Sequence, residues 1–366
     1  MQVLLAWAAI VGAVRAHRWA APPAFVVPPA AARNEPPLFA AELLPSSGTN
    51  FVHAATLLEL RNGDLLAAWY GGTDEIDPDV NIFLSRQDHR SGRWSAPRAI
   101  ANGPGTRVKS VGNPVLVADR DGVRLFYVGV IVGGWSGSTI FSMRSTDDGA
   151  NWSTPLRIAT SPLLNLGMLV RSPAIAYADG TIALPIYHEL RRKWSALARV
   201  DAEGRVVDEA HMAANPFIQP WIVPASEREA TAFFRWSAKA PGFVNSATTT
   251  DAGAHWSPLA STGLEHRDSA VAAARLDDGS LIAVFNNSPG DRRKLALVRR
   301  IGTSWSAPFQ LEDDPRPAFD GPTRREYSYP FAIATRDGRF HVVYTWQRTH
   351  IKHVVFNAAW VRATLP

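Results

Sequence analysis

The 366-residue chain contains no cysteine, so no disulfide can staple it and its stability must come from packing. Charge is scarce as well. Only 19% of residues are Asp, Glu, Lys or Arg, while 46% are apolar, a balance that excludes global disorder and supplies a large core. The net charge of +5 comes almost wholly from arginine and reads as a solvated basic surface or an attraction to anionic glycans. No Lys/Arg run carries interleaved aromatics, so no nucleic-acid partner is expected. No segment beyond the N-terminus reaches 18 apolar residues, so no membrane span is expected. No His/Asp/Glu cluster has metal-ligand spacing, and neither a metal nor another cofactor is assigned.

The longest apolar run, Val3–Val14, is too short to cross a bilayer, and Val14-x-Ala16 suits cleavage after Ala16. Residues 1–16 therefore read as a signal peptide, although no Lys or Arg precedes the run; a buried N-terminal strand is the alternative. The protein is accordingly expected to be secreted or periplasmic. Residues 17–40 include the Pro- and Ala-rich stretch Ala21–Pro37 and read as a linker or a surface strap. A single folded domain is expected over 41–366; a monomer is assumed.

What is abundant is tryptophan, with 13, and glycine, with 26, and both recur in register. Trp94-Ser95-Ala96-Pro97, Trp152-Ser153-Thr154-Pro155, Trp256-Ser257-Pro258 and Trp305-Ser306-Ala307-Pro308 are spaced by 58, 104 and 49 residues. The double gap implies a copy that has lost its Trp near Asp201–Gly204. Ser145-Thr146-Asp147-Asp148-Gly149-Ala150-Asn151-Trp152 fits the pattern S-x-D-x-G-x-x-W, and Thr249–Trp256 fits with Thr for Ser. In such a turn, known as an Asp box, the hydroxyl and carboxylate bond backbone amides, Gly takes positive φ, and Trp packs beneath. Those aspartates are structural. A second series interleaves: turns at Gly63, Gly122, Gly180, Gly279 and Gly338, with Ser226-Glu227-Arg228 as a sixth, each lead into a hydrophobic strand. Six repeats of several strands each predict an all-β, six-bladed β-propeller, with a β-sandwich as the alternative fold.

In a propeller, matching positions of different repeats converge on one axis. The strand ends carry Tyr70, Tyr187-His188-Glu189, Arg235-Trp236, Asn286-Asn287 and Trp346-Gln347-Arg348. Polar and aromatic groups at one end suit a sugar, whose hydroxyls need partners and whose apolar faces stack on rings.

Over roughly residues 50–355 the sequence resembles the sialidase (neuraminidase) superfamily, closest to bacterial sialidase-like proteins with Asp-box repeats. The resemblance implies three arginines that clamp a substrate carboxylate, a Tyr nucleophile assisted by a Glu, and an Asp acid/base. Matched to the family's patterns, Arg235 is the middle arginine, and Arg292, in Phe285–Leu295, is the third. In Glu326-Tyr327-Ser328-Tyr329-Pro330, Tyr327 is the nucleophile and Tyr329 the reserve. The acid/base falls in the loop Gly71–Val80, on Asp77 or Asp79 with Glu75 behind them, unless that loop is simply a solvated acidic surface. Trp236 is a candidate sugar contact. Two positions depart from the pattern. His53 stands where the first arginine belongs, and imidazole cannot form a guanidinium fork. Gln219 stands 16 residues before Arg235 where the family has Glu, and an amide cannot take a phenolic proton. Glu326, expected on the opposite face, and Glu189, from another blade, are the remaining sources of a base.

The implied activity is exo-hydrolysis of a terminal acidic sugar, sialic acid or similar, from a glycan by a retaining mechanism. The alternatives are a uronic-acid-directed exo-glycosidase or lyase, with His53 as acid or base, and a non-catalytic glycan-binding propeller. A protein-interaction propeller would have no use for Arg and aromatic residues at the strand ends.

Overall fold

The computed structural model describes residues 22–27, 35–103, 108–161, 165–239, 242–316 and 326–366. The proposed signal peptide lies outside the described residues.

Short strand β1 (Phe39–Leu43) is followed by six sheets in chain order. Blade one is β2 (Phe51–Glu59), β3 (Leu65–Gly72), β4 (Asn81–Gln87) and β5 (Arg98–Asn102). Blade two is β6 (Ser110–Asp119), β7 (Gly122–Val130), β8 (Ser138–Ser145) and β9 (Leu156–Arg157). Blade three has its first strand split into β10 (Met168–Val170) and β11 (Ile175–Ala176), then β12 (Ile182–His188), β13 (Trp194–Val200) and β14 (Val206–Ala213). Blade four is β15 (Phe217–Pro224), β16 (Ala230–Trp236), β17 (Phe243–Thr249) and β18 (Ala260–Glu265). Blade five is β19 (Ala272–Arg275), β20 (Leu281–Phe285), β21 (Lys294–Ile301), β22 (Ser304–Trp305) and β23 (Phe309–Asp313). Blade six is β24 (Tyr327–Ala334), β25 (Arg339–Trp346) and β26 (His350–Asn357), with β1 as its fourth strand, Phe39 opposite Phe356. Helix α1 (Ala358–Thr364) follows, capped by Asn357 Oδ1 accepting from the Trp360 amide. The chain is a six-bladed β-propeller. No helix among the described residues is long and apolar enough to cross a membrane.

Burial falls from axis to rim. Every residue of β3 is buried, and β7 is buried from Val123 to Val130, because both faces of a blade are covered by its neighbours. Such strands read as continuous apolar runs rather than alternating ones. The outer strands β9 and β18 are largely exposed. Between blades the contacts are those of a packed interior: Trp221 is 2% exposed, and its indole donates to the Ala273 carbonyl one blade away, at 2.7 Å.

The Asp boxes are built as their residues dictate. Ser145 Oγ accepts from the Gly149 amide at 2.8 Å, Asp147 Oδ1 accepts from the Asn151 amide at 2.8 Å, and Trp152 Nε1 donates to the Gly149 carbonyl. Gly149 takes φ +86°. The Asn151 amide and side chain, with Ser145, hold the Asp147 carboxyl down at about 2. The copy at Thr249–Trp256 repeats these bonds. The copy without Trp is the β13–β14 turn, where Asp201 accepts from the Arg205 amide and Gly204 takes φ +84°.

One feature of the inner strands prepares the site. Strands β2, β6, β15 and β24 each slip register near their axial end, and Ala54, Asn113, Gln219 and Tyr329 there take φ between +45° and +55°. A bulge of this kind re-aims a side chain out of the pleat. Asn113, Gln219 and Tyr329 are each followed by proline, which contributes no amide to the ladder.

Candidate functional site

A cavity of about 930 Å³ opens where the axial ends of the inner strands meet. It brings together six of the ten expected site residues: His53, Glu75, Gln219, Arg235, Arg292 and Tyr329. Asn113 and Tyr187 complete its deeper wall, and Trp135, Glu189 and Arg348 also face it.

Tyr329 stands at the centre. Its hydroxyl accepts from Arg235 Nη1 at 2.9 Å, and its ring centroid lies 4.3 Å from that of His53. The guanidinium carbons of Arg171, Arg235 and Arg292 lie 5.4, 5.7 and 5.5 Å from the same centroid. Arg235 is fixed by Asp268, whose Oδ1 accepts from Nε at 2.5 Å, and by Gln219 Oε1 at 3.1 Å. Burial opposes charge on Arg235, but Tyr329 and Asp268 outweigh it and raise its pKa. Burial likewise disfavours the Asp268 carboxylate, yet Arg235 and Arg292 pull its pKa below the usual range. Arg292 donates to the Asp268 carbonyl and to Glu326 Oε2 at 3.3 Å. One aspartate thus positions both arginines, by side chain and by backbone.

His53 is 2% exposed, and its Nδ1 lies 2.9 Å from Thr345 Oγ1 and 3.8 Å from Glu326 Oε1. Burial, with the fields of Arg348, Arg292, Arg171 and Arg235, pushes its pKa well below the usual value. Those arginines outweigh the single carboxylate, so the 3.8 Å approach to Glu326 is a contact of a neutral imidazole and not an ion pair. Gln219 is locked at both ends, donating to the Tyr187 hydroxyl at 3.1 Å while accepting from Arg235. Burial, then Glu189, raises the Tyr187 pKa well above normal, and burial, then Glu75, does the same for Tyr70.

The acidic loop divides. Glu75 turns inward and accepts from the Tyr70 hydroxyl at 3.2 Å, Trp135 Nε1 at 3.1 Å and Arg348. Arg348 lies over the Phe51 ring at 4.8 Å, beside His53 and on the blade-one wall where the resemblance placed a first arginine. Asp79 instead ties the loop together, accepting from the Thr73 amide and hydroxyl, and its side chain is not part of the cavity lining. Asp77 does not line the cavity either; its carbonyl accepts from the Val80 amide. Asp74, not singled out in the sequence, does line it and accepts from the Glu75 amide at 2.7 Å.

Tyr327 lies outside the cavity lining. It packs in the core between blades five and six, and its hydroxyl accepts from Gln347 Nε2 at 3.0 Å. Two residues on, the bulge turns Tyr329 to the axis; strand alternation alone would have put both side chains on one face. Trp236 also lies outside, edge-on to Phe217 with its indole donating to the Lys239 carbonyl. Of the strand-end residues, Asn286 is fully buried and holds the Tyr327 and Lys294 carbonyls. Asn113, Trp135 and Arg171 were not foreseen. The repeated X-Pro at Asn113-Pro114, Ser172-Pro173, Gln219-Pro220 and Tyr329-Pro330 was the available signal for the inner wall. No group of three or more potential metal ligands occurs among the described residues.

Residues 63–342 match the BNR repeat-like domain family, which spans more than half of the chain. The chain belongs to that family. No curated protein sequence matches it. Among solved structures this BNR repeat protein is similar to the intramolecular trans-sialidase of Ruminococcus gnavus, at 12% identity and TM-score 0.69, over 87% of this chain and 98% of that one. A Hadza microbial sialidase, Hz136, shares 16% identity at TM-score 0.67, over 86% of this chain and 66% of that one. A protein of unknown function from Dyadobacter fermentans also shares 16% identity at TM-score 0.67, over 87% of this chain and 97% of that one. At these identities the likeness is one of fold: a sialidase-like propeller.

Proposed function

We propose that the axial cavity is the active site of an exo-glycoside hydrolase that removes a terminal acidic sugar, with Tyr329 as nucleophile. The observation that carries the reading is the setting of that phenol, turned into the cavity by a bulge, held by Arg235 and ringed by three guanidinium groups. Arg235 and Arg292 would hold the carboxylate of the sugar, since guanidinium forks select planar anions. In the first step the Tyr329 oxygen, giving up its phenolic proton to solvent, bonds to the anomeric carbon as the glycosidic C–O bond breaks, and the leaving oxygen takes a proton from an acid. Asp74 suits that role: it is exposed, at the cavity mouth, and accepts one backbone amide. Glu75, engaged by Tyr70, Trp135 and Arg348, is better suited to hold Arg348 in place. In the second step water attacks the anomeric carbon, Asp74 takes its proton, and the phenolate is released. Export, to which the Val3–Val14 run points, would bring this cavity to extracellular or periplasmic glycans.

Gln219 supports a second reading, a glycan-binding propeller without turnover, because no carboxylate touches the Tyr329 hydroxyl among the described residues. Incubating the purified protein with a fluorogenic sialoside beside a panel of uronic-acid glycosides separates the two. Release of product that Tyr329→Phe abolishes is the expected result. Saturable glycan binding with no product after prolonged incubation establishes the second reading instead.

A further inference from the structure

We propose that Glu189 is a specificity residue of the axial cavity and selects an acidic sugar that also carries a protonated amine. The inference rests on the reading of the cavity as an acidic-sugar site and adds the class of sugar it takes.

Glu189 lines the cavity just beyond β12, half-buried on the wall of blade three. Its amide donates to the Gly167 carbonyl at 2.9 Å. Gly167 takes φ +84°, and a Cβ there would meet the Leu190 Cβ at 2.7 Å, so the turn packs directly on bare backbone. The residues on either side lie outside the cavity lining: His188 stacks on Trp194 at 5.3 Å, and Leu190 is 48% exposed. The carboxylate is thus part of a fixed wall and not of a loose rim.

No hydrogen bond or ion pair reaches the Glu189 side chain among the described residues. The cations and donors around it are directed elsewhere. Arg235, the arginine whose charge it feels, is bound by Asp268 at 2.5 Å, while Arg292 and Arg348 are paired with Glu326 and Glu75. Arg171 stands behind Tyr329 and donates to the Tyr329 and Pro330 carbonyls. Asn113 and Gln219 both donate to the Tyr187 hydroxyl, at 3.3 and 3.1 Å. On the same turn, Lys193 donates to Ser237, and Arg191 and Arg192 are exposed outside the cavity lining.

A sugar that fills the cavity takes water away from this carboxylate. A carboxylate so desolvated needs an opposite charge as well as hydrogen bonds. With the sugar's own carboxylate on Arg235 and Arg292, a substituent on its blade-three side would meet Glu189. There a hydroxyl or an acetamide N–H offers a hydrogen bond without charge, and a second anion is repelled. A protonated amine supplies three donors and the charge together. Asp74, the acid at the mouth, is exposed and remains in solvent.

The test is calorimetric titration of the full protein with two acidic-sugar scaffolds, glucuronic acid varied at C2 and the methyl glycoside of sialic acid varied at C5. Each is offered with a free amine, an acetamide or a hydroxyl at the varied carbon. On at least one scaffold the amine should bind roughly 10-fold more tightly than the other two forms. Glu189→Gln, which keeps the shape and removes the charge, should bring the three within about 3-fold of one another. Equal binding of the three forms on both scaffolds overturns the proposal, whether or not Glu189→Gln folds, and leaves the hydrolase standing if product is released. An amine preference that survives in folded Glu189→Gln overturns it too, and moves the charge contact to Asp74. A preference that depends on Glu189, with no product released, counts against the hydrolase and supports the selection. Binding of none of the six ligands removes both.

Discussion

The Asp-box turns at the periphery and the cavity at the axis are both rich in polar groups, but they satisfy those groups differently. In the turn at Ser145–Trp152 each side-chain bond closes within four residues, so the motif is complete wherever those eight residues occur. At the axis the partners come from different blades: His53 meets Thr345, Glu75 meets Arg348, and Asn113 and Gln219 meet Tyr187. Peripheral carboxylates are therefore structural constants of a blade, while axial groups exist as a site only when the ring is closed.

Substitutions should separate the two regions, beginning with the largest effect. Tyr329→Phe is expected to lower kcat on an acidic glycoside by on the order of 10³-fold, about 4 kcal/mol of barrier, with the fold unchanged by circular dichroism. Tyr327→Phe, whose own side chain is not part of the cavity lining, should stay within a few-fold; the reverse ranking would return the nucleophile to Tyr327. Arg292→Ala should weaken binding of an acidic sugar by about 2–5 kcal/mol in calorimetry, and unchanged affinity would remove it from the clamp.

The pH dependence of stability should come largely from buried histidines. His53, His266 and His341 all have pKa values lowered by burial, the last two to about 4 and about 3. The unfolded chain binds their protons below about 6.5 while the folded one does not, so stability is full above that value and falls as pH drops toward 4. Each histidine should contribute about 1.4 kcal/mol per pH unit in urea titrations, and a flat profile between pH 6 and 4 would show that the three are not buried neutral. Ser145→Ala, which removes the acceptor for the Gly149 amide, is expected to cost about 1 kcal/mol and to leave activity untouched. A loss of turnover there would erase the contrast between rim and axis.

The same contrast explains what the sequence disclosed. The Asp boxes, the turn glycines and the apolar inner strands are local, so the blade count and even the copy lacking Trp near Asp201 were legible. Arg235 stood at a strand end, and Arg292 and His53 were reached through the family resemblance; the closed ring does bring the three together. Choosing between Tyr327 and Tyr329 required the register slip between Ser328 and Phe331, a backbone event that alternation cannot express. Asp77 and Asp79 were placed ahead of Glu75 because loop spacing carries no direction; the bonds from Thr73 decide where Asp79 points. Arg171 lay outside any motif, and its place behind Tyr329, bonded to the Tyr329 and Pro330 carbonyls, exists only once blade three meets blade six.

The pairing of β1 with β26 has a temporal side. Phe39 and Phe356 must find each other across nearly the whole polypeptide, a contact of very high sequence separation. While the chain is being made, β1 has no partner in its sheet until β26 has been made and can pair with it. The last hydrogen bonds to form should then be those of this clasp, and slow assembly of the ring should depend on it more than on any single blade.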